Sequence, residues 1–167
     1  NSAPIVAIDD NPAIVNGGVG NPSVINAFTN DTLNGVPVTV PTITASIVTP
    51  ASNPGVSMNP ATGVVSVAPG TPAGSYTISY EICETLNPTN CDQADVTVTV
   101  GAGVIVADDD SISGINGLTG APNVLDVIPG DTLNGNPATL GGAGNVALTV
   151  VTPATPLTPG APVPALD

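Results

Sequence analysis

The chain is written almost twice over. The string Asp31-Thr32-Leu33-Asn34-Gly35 returns unchanged as Asp131-Thr132-Leu133-Asn134-Gly135. Ala7-Ile8-Asp9-Asp10 returns as Ala107-Asp108-Asp109-Asp110, Asn16-Gly17 as Asn116-Gly117, and Gly20, Pro22 and Val24 as Gly120, Pro122 and Val124. All of these share one offset of 100 positions, as from Asp31 to Asp131. Val48-Thr49-Pro50-Ala51 then recurs as Val151-Thr152-Pro153-Ala154, three positions further on, as an insertion in the second copy requires. A repeat of about 100 residues is an ordinary size for a unit with its own core. The expected organisation is one complete repeat over residues 1–102 and, over 103–167, the N-terminal two-thirds of a second, incomplete one. The strands lacking from the second copy are expected downstream in a longer tandem array, with donation by another chain as the alternative. A linker as short as Gly101-Ala102-Gly103 sets neighbouring repeats end to end.

Composition makes that unit a β-structure. The 167 residues include 19 Gly and 19 Pro, which arrive too often for a long helix. A hydrophobic fraction of 41% against 8% charged residues separates the chain from a disordered acidic tail. It has no run of 18 apolar residues and no signal-peptide pattern at its start. Direct membrane insertion is not expected, and an export signal would lie outside these residues. Charge restricts function further. Lys, Arg and His are all absent, and 13 acidic residues leave a formal charge of −13. Such a chain has nothing to track a phosphate backbone or an anionic membrane, so nucleic acid is not a partner. It also has no imidazole base and no amine for a Schiff base. No spacing singles out a carboxylate pair for hydrolysis, and no catalytic residue is assigned.

Residues 74–100 give the sharpest local signal. Tyr76, Ile78, Tyr80 and Ile82 alternate with Thr77, Ser79, Glu81 and Cys83, and Val96, Val98 and Val100 alternate with Asp95, Thr97 and Thr99. A period of two is that of a half-buried strand. Leu86-Asn87-Pro88-Thr89-Asn90 between them reads as the turn. If Cys83 faces Cys91, then Ile78 faces Val96, Tyr76 faces Val98, and both cysteines fall on the polar face. The register that burial demands is thus the register that a disulfide demands. A Cys83–Cys91 disulfide is predicted, the plain alternative being two free thiols. The spacing is not CxxC and no His is present, which disfavours a metal or redox site. A disulfide places the protein in an oxidising compartment outside the cell.

Further strands are expected near 4–8, 22–28, 36–48 with a break at Pro41, and 63–67. About seven short strands punctuated by Gly, Pro and Asn read as an all-β, antiparallel sandwich.

The opening Ala-x-Asp-Asp, the stretch Val24-Ile25-Asn26-Ala27-Phe28-Thr29-Asn30-Asp31-Thr32 and the segment from Pro72 to Val100 together resemble a known repeat class. They are similar to the cadherin-like and immunoglobulin-like tandem repeats of giant Bacteroidota surface adhesins, including fibril-type repeats of SprB-like gliding-motility adhesins. The resemblance spans the first copy and the visible part of the second. It implies export through the type IX secretion system and display at the cell surface. It also raises two chemistries. One is Ca²⁺, chelated at repeat junctions by clusters such as Asp9-Asp10 and Asp108-Asp109-Asp110, with Asp131 or Asp126 completing the set. The other reading of these residues is that they cap turns and keep the surface solvated. The second chemistry is O-glycosylation at Asp-Ser/Thr followed by an aliphatic residue, which offers Thr32, Ser111 and Thr132. Asn30-Asp31-Thr32 also fits an N-glycan sequon, but the second copy has Gly130 in place of the Asn.

The function expected is that of a load-bearing spacer in a long adhesin or filament, serving attachment or gliding. Its partners would be neighbouring repeats of the same chain, with surface glycans or a host or substratum met at a distal tip. No motif requires a cofactor, and calcium is the one ion the resemblance brings in. The alternative function is a carbohydrate- or ligand-binding sandwich, which needs exposed aromatic platforms. Tyr76 and Tyr80 share the face of Ile78 and Ile82, and Phe28 lies in an apolar stretch, so all three are expected in the core.

Overall fold

A computed structural model describes residues 3–142 and 144–155. The chain divides into two compact units, Asn1–Gly103 and Val104–Asp167. Unit 1 contains β1 (Ile5–Val6), β2 (Val15–Asn16), β3 (Asn21–Asn26), β4 (Thr32–Leu33), β5 (Val36–Pro37), β6 (Ile43–Thr49), β7 (Val56–Met58), β8 (Val64–Val67), β9 (Gly74–Glu84) and β10 (Asn87–Gly101). Unit 2 contains β11 (Ile105–Val106), β12 (Thr132–Leu133) and β13 (Asn136–Pro137). The described residues include no helix. The protein is all-β, a sandwich of sheets that are antiparallel except where β2 pairs with β10 in parallel.

Unit 1 is organised around the long β9–β10 hairpin, the centre of a sheet ordered β2-β10-β9-β6. Cys91 lies opposite Cys83, Val96 opposite Ile78 and Val98 opposite Tyr76, the register set by the two alternating patterns. Alternation sends Ile78, Tyr80, Ile82, Val96, Val98 and Val100 inward, all at most 2% exposed. They pack against Val56, Met58, Val65 and Val67 of the sheet β3-β8-β7, with Ala27 and Phe28 closing the core. The outward face is polar, and Thr77 meets Thr97 across the hairpin with hydroxyls 3.1 Å apart.

Two expectations need correction. The hairpin turn is not Leu86–Asn90. Glu84 pairs directly with Asn87, which leaves Thr85 and Leu86 as a two-residue turn, and Pro88–Asn90 form an irregularity within β10. Asn90 holds that bulge in place by donating from Nδ2 to Glu84 Oε2 (2.9 Å) and to the Ala3 carbonyl. Residues 36–48 are likewise not one interrupted strand. β5 joins a small sheet ordered β1-β4-β5, whereas β6 pairs with β9. A turn separates them, with Thr42 N–H donating to the Thr39 carbonyl at 2.8 Å.

Unit 2 repeats the small sheet of unit 1 bond for bond. Ile105 pairs with Leu133 and Val106 with Thr132, as Ile5 pairs with Leu33 and Val6 with Thr32. Asn134 N–H donates to the Val104 carbonyl as Asn34 N–H does to that of Pro4, both at 2.7 Å. The Asn-Gly turns match as well, with φ of 54° and 73° at Asn34 and Gly35 and of 52° and 75° at Asn134 and Gly135. Successive left-handed residues are what a two-residue hairpin turn of this hand needs. Residues 121–126, the counterpart of β3, form no strand. β3 depends on pairing with β8, and no counterpart of β8 exists among the described residues. The end of the second copy, residues 156–167, lies outside the described residues.

Candidate functional site

Asp9, Asp10, Asp31 and Asp92 lie where the N-terminal segment crosses the loop between β3 and β4 and the start of β10's regular pairing. Three of these carboxylates accept from a backbone N–H. Asp9 Oδ1 accepts from Asp95 N–H at 2.9 Å, Asp92 Oδ2 from Ala7 N–H at 2.9 Å, and Asp31 Oδ1 from Ile8 N–H at 2.9 Å. Asp10 pairs by its backbone instead, its N–H donating to the Asp95 carbonyl and its carbonyl accepting from Thr97 N–H, both at 2.9 Å. These bonds fasten residues 7–10 along β10 in the parallel sense. Further along, Val15 pairs with Val100 and Asn16 with Gly101, also in parallel.

At the centre lie three side chains from distant parts of the sequence. Asp31 and Tyr80 are completely buried, and Asp10 is 6% exposed. The Tyr80 hydroxyl reaches the Asp31 carboxylate at 2.9 Å from Oδ2 and 3.2 Å from Oδ1, and lies 3.1 Å from the Ala27 carbonyl. Asn30 Nδ2 donates to Asp10 Oδ1 at 3.2 Å. Burial pushes the Asp10 carboxyl up to about 6, Asp31 adds repulsion, and the Asn30 amide partly offsets both. Burial also raises the Asp31 carboxyl, against the opposing effect of its bonds from Ile8 N–H and Tyr80. The Tyr80 hydroxyl is raised by burial and then by the Asp31 charge.

Of the residues read from sequence as metal ligands, Asp9 and Asp10 belong to this cluster. Asp108, Asp109 and Asp110 lie exposed in unit 2. Asp108 N–H donates to Asp131 Oδ1 at 2.8 Å, repeating the bond from Ile8 to Asp31. Asp126 is exposed and accepts from Ile128 N–H at 3.1 Å in a local turn. Asn30 and Asp31 were not singled out as ligands from sequence. The signal available was the substitution of Gly130 for Asn30 inside an otherwise repeated segment.

Cys83 and Cys91 are joined in a disulfide with Cα atoms 4.1 Å apart. Glu81 Oε1 lies 3.8 Å from the Cys83 sulfur, but a bonded pair of sulfurs has no thiolate to offer a metal. Thr32 and Thr132 are half-buried in the middle strand of their small sheets, whereas Ser111 is exposed. The aromatic residues provide no exposed platform. Phe28 and Tyr80 are core, and Tyr76 is half-buried with its hydroxyl donating to the Pro72 carbonyl at 2.9 Å. A shallow groove of about 380 Å³ beside Phe28 is lined by Val40, Ile43, Thr44, Ala45, Pro60 and Ala61, with only Thr44 contributing a polar side-chain group. No helix among the described residues is long and apolar enough to cross a membrane.

Neither a protein-family model nor a curated protein sequence matches the chain. Among solved structures it is similar to the human desmocollin-1 ectodomain, at 12% identity and a TM-score of 0.46, over 65% of this chain and 22% of that one. It is also similar to extracellular cadherin domains 1–4 of protocadherin gamma B7, at 14% identity and a TM-score of 0.44, over 69% and 29%. The protocadherin gamma B4 extracellular domain gives 13% identity and a TM-score of 0.42, over 65% and 18%. The chain thus spans under a third of the length of each of these structures.

Proposed function

We propose that the chain is a stretch of tandem sandwich repeats from a long, exported cell-surface adhesin or filament, in which each repeat is a load-bearing spacer. The observation that carries this reading is the parallel pairing of the first and last segments of unit 1. Residues 10 and 15–16 lie alongside residues 96 and 100–101 of the final strand. Tension applied between the two ends of the unit pulls such neighbours past each other along their length. Their hydrogen bonds are then loaded together in shear, rather than broken one by one from an open end. The Asp9 and Asp92 carboxylates add side-chain bonds to the same seam.

Other features are consistent with this role. Bond-for-bond repetition of the small sheet is what lengthens a fibre without new chemistry. A charge of −13 with no basic side chain keeps adjacent fibres apart and excludes Lys–Asn cross-links. The disulfide accords with an oxidising compartment. Within this reading the fibre belongs to the gliding- or attachment-adhesin type of Bacteroidota, exported by the type IX route, with its repeats contacting one another and its target met at a distal tip. O-glycans would be carried first at exposed Ser111, then at half-buried Thr32 and Thr132.

Single-molecule stretching of a polyprotein made from the full chain tests the spacer role. Unit 1 is expected to unfold in one cooperative step at a force that Asp9→Ala lowers. Yielding at low force, with no response to Asp9→Ala, overturns the reading, since forced unfolding reports the barrier at the seam.

A further inference from the structure

The chain contains four Asn-Gly pairs: Asn16-Gly17, Asn34-Gly35, Asn116-Gly117 and Asn134-Gly135. An asparagine side chain can close onto the nitrogen of the residue that follows it. Glycine obstructs that closure least, because it has no Cβ and leaves the backbone free to turn. The reaction still needs an amide side chain free to rotate and a glycine N–H that no acceptor holds. The fold meets both conditions at Asn34-Gly35.

The other three side chains are held. Asn16 Oδ1 accepts from Gly18 N–H at 3.0 Å, and Gly17 N–H is itself committed to the Gly101 carbonyl at 2.9 Å. Asn116 Oδ1 accepts from Leu118 N–H at 2.9 Å, and Asn134 Oδ1 from Val104 N–H at 2.9 Å. Asn34 occupies the same turn as Asn134. Its N–H donates to the Pro4 carbonyl as that of Asn134 donates to Val104, but its side chain makes no hydrogen bond. The cause is one residue. Pro4 stands where the second copy has Val104, and proline has no N–H to give. Asn34 and Gly35 are both exposed, and Gly35 N–H has no acceptor among the described residues. A methyl group placed on Gly35 would meet nothing within 4 Å, so the turn is open on all sides.

We infer that Asn34 is a site of covalent self-modification, converting to aspartate and isoaspartate through a cyclic imide. The Gly35 nitrogen attacks Asn34 Cγ, and the new C–N bond forms as the bond from Cγ to Nδ2 breaks. The proton of Gly35 N–H passes to a solvent base, and Nδ2 leaves as ammonia. Water then opens the imide at either carbonyl. Addition at Cγ gives aspartate, and addition at the main-chain carbonyl gives isoaspartate. One water is consumed, one ammonia is released, and nothing is oxidised or reduced. The product adds one negative charge to a chain already at −13. Isoaspartate also lengthens the backbone by one carbon, inside a turn whose residues sit at φ of 54° and 73°. The β4–β5 hairpin of unit 1 is therefore loosened by ageing, while its counterpart in unit 2 is spared. The inference goes beyond the spacer reading and does not rest on it.

The test ages the full chain in mildly alkaline buffer, folded and in urea. Each Asn-Gly pair is followed by peptide mass spectrometry after cleavage at acidic residues, since the chain has no Lys or Arg for trypsin. In the folded chain Asn34 is expected to convert roughly three- to tenfold faster than Asn134, the factor that one neutral hydrogen bond is worth. In urea the two are expected to convert alike, because Leu precedes and Gly follows both. Pro4→Val, which installs the second copy's residue and its N–H, is expected to slow Asn34 to the rate of Asn134. Equal rates at Asn34 and Asn134 in the folded chain overturn the inference, as does a Pro4→Val chain that ages like wild type. A difference that persists in urea also overturns it, since local sequence would then be the cause. Where Pro4→Val fails to fold, the wild-type chain decides: a difference confined to the folded state supports the inference, and its absence rejects it.

Discussion

The hydroxyl of Tyr80 donates to Oδ2 of Asp31 at 2.9 Å in a site where both residues are fully buried. The bond joins the central strand β9 to the loop that carries Asn30, across 49 positions of sequence. Tyr80→Phe keeps the ring and its tilted contact with Phe28, 6.1 Å between centroids, and removes only the donor. Asp31 is then left with Ile8 N–H on one oxygen and nothing on the other. A loss of about 1–3 kcal/mol in unfolding free energy is expected, read from urea denaturation with the slope unchanged.

The Cys83–Cys91 disulfide closes a loop with a sequence separation of 8. In the chain-entropy account so short a loop is worth about 2–3 kcal/mol, because little freedom is removed from the unfolded chain. Replacing both cysteines by serine is expected to cost about that much and to leave the far end of the hairpin, near Tyr76 and Val98, paired as before. Hydrogen exchange resolved along β9 and β10 checks both halves of the prediction. A loss of protection confined to residues near the bulge is the expected pattern.

Without divalent ions, unit 1 is expected to lose stability as the pH rises from about 4 to about 6. Asp10 titrates at about 6 in the folded protein, against 3.8 when its environment is removed. Asp31 is displaced in the same direction. Between those values the folded state binds more protons than the unfolded one, so raising the pH favours unfolding. The groups facing Asp10 are Asp31, Asp9 and Asn30, and none of them carries a positive charge that would reverse the sign. Chemical denaturation in chelator at several pH values checks this. Asp10→Asn is expected to flatten most of the dependence.

The β9–β10 register was legible because two independent constraints, alternation on both strands and the cysteine pair, coincide in one stretch of local sequence. What stayed illegible depends on long-range partners. Val15-Asn16 forms a strand only because the final strand lies beside it, and two residues carry no periodicity to read. Residues 36–48 are rich in Val, Ile and Thr on both sides of Pro41, yet they divide between two sheets, a choice made by β1 and β4 on one side and β9 on the other. The cluster of Asp10, Asn30, Asp31 and Tyr80 was hidden for the same reason. Asp10 reads in sequence as a solvated turn residue, and Asp31 is buried because Tyr80, turned inward by its apolar alternation, brings its hydroxyl to the Asp31 carboxylate. The same dependence shows in the stretch 121–126, which repeats Pro22 and Val24 of β3 but has no partner strand among the described residues and forms no strand.

The repeat also supplies a matched pair of substitutions whose outcomes should differ. Gly17 and Gly117 occupy equivalent positions after Asn16 and Asn116. A methyl group at Gly17 would strike the Thr71 carbonyl and the Val100 side chain at the edge of the core, where Gly17 N–H donates to the Gly101 carbonyl at 2.9 Å. At Gly117 nothing lies within 4 Å of the same methyl group. Neither glycine has a positive φ, so backbone strain does not separate the two. Gly17→Ala is therefore expected to destabilise unit 1 by about 1–3 kcal/mol through overpacking, with the β2–β10 seam opening first. Gly117→Ala should be neutral or slightly stabilising, by about 0.4–1 kcal/mol at most, because alanine restricts the unfolded chain. Parallel denaturation of the two variants measures the difference. Equal destabilisation would mean that the seam at Gly17 and Gly101 is looser than its hydrogen bond implies.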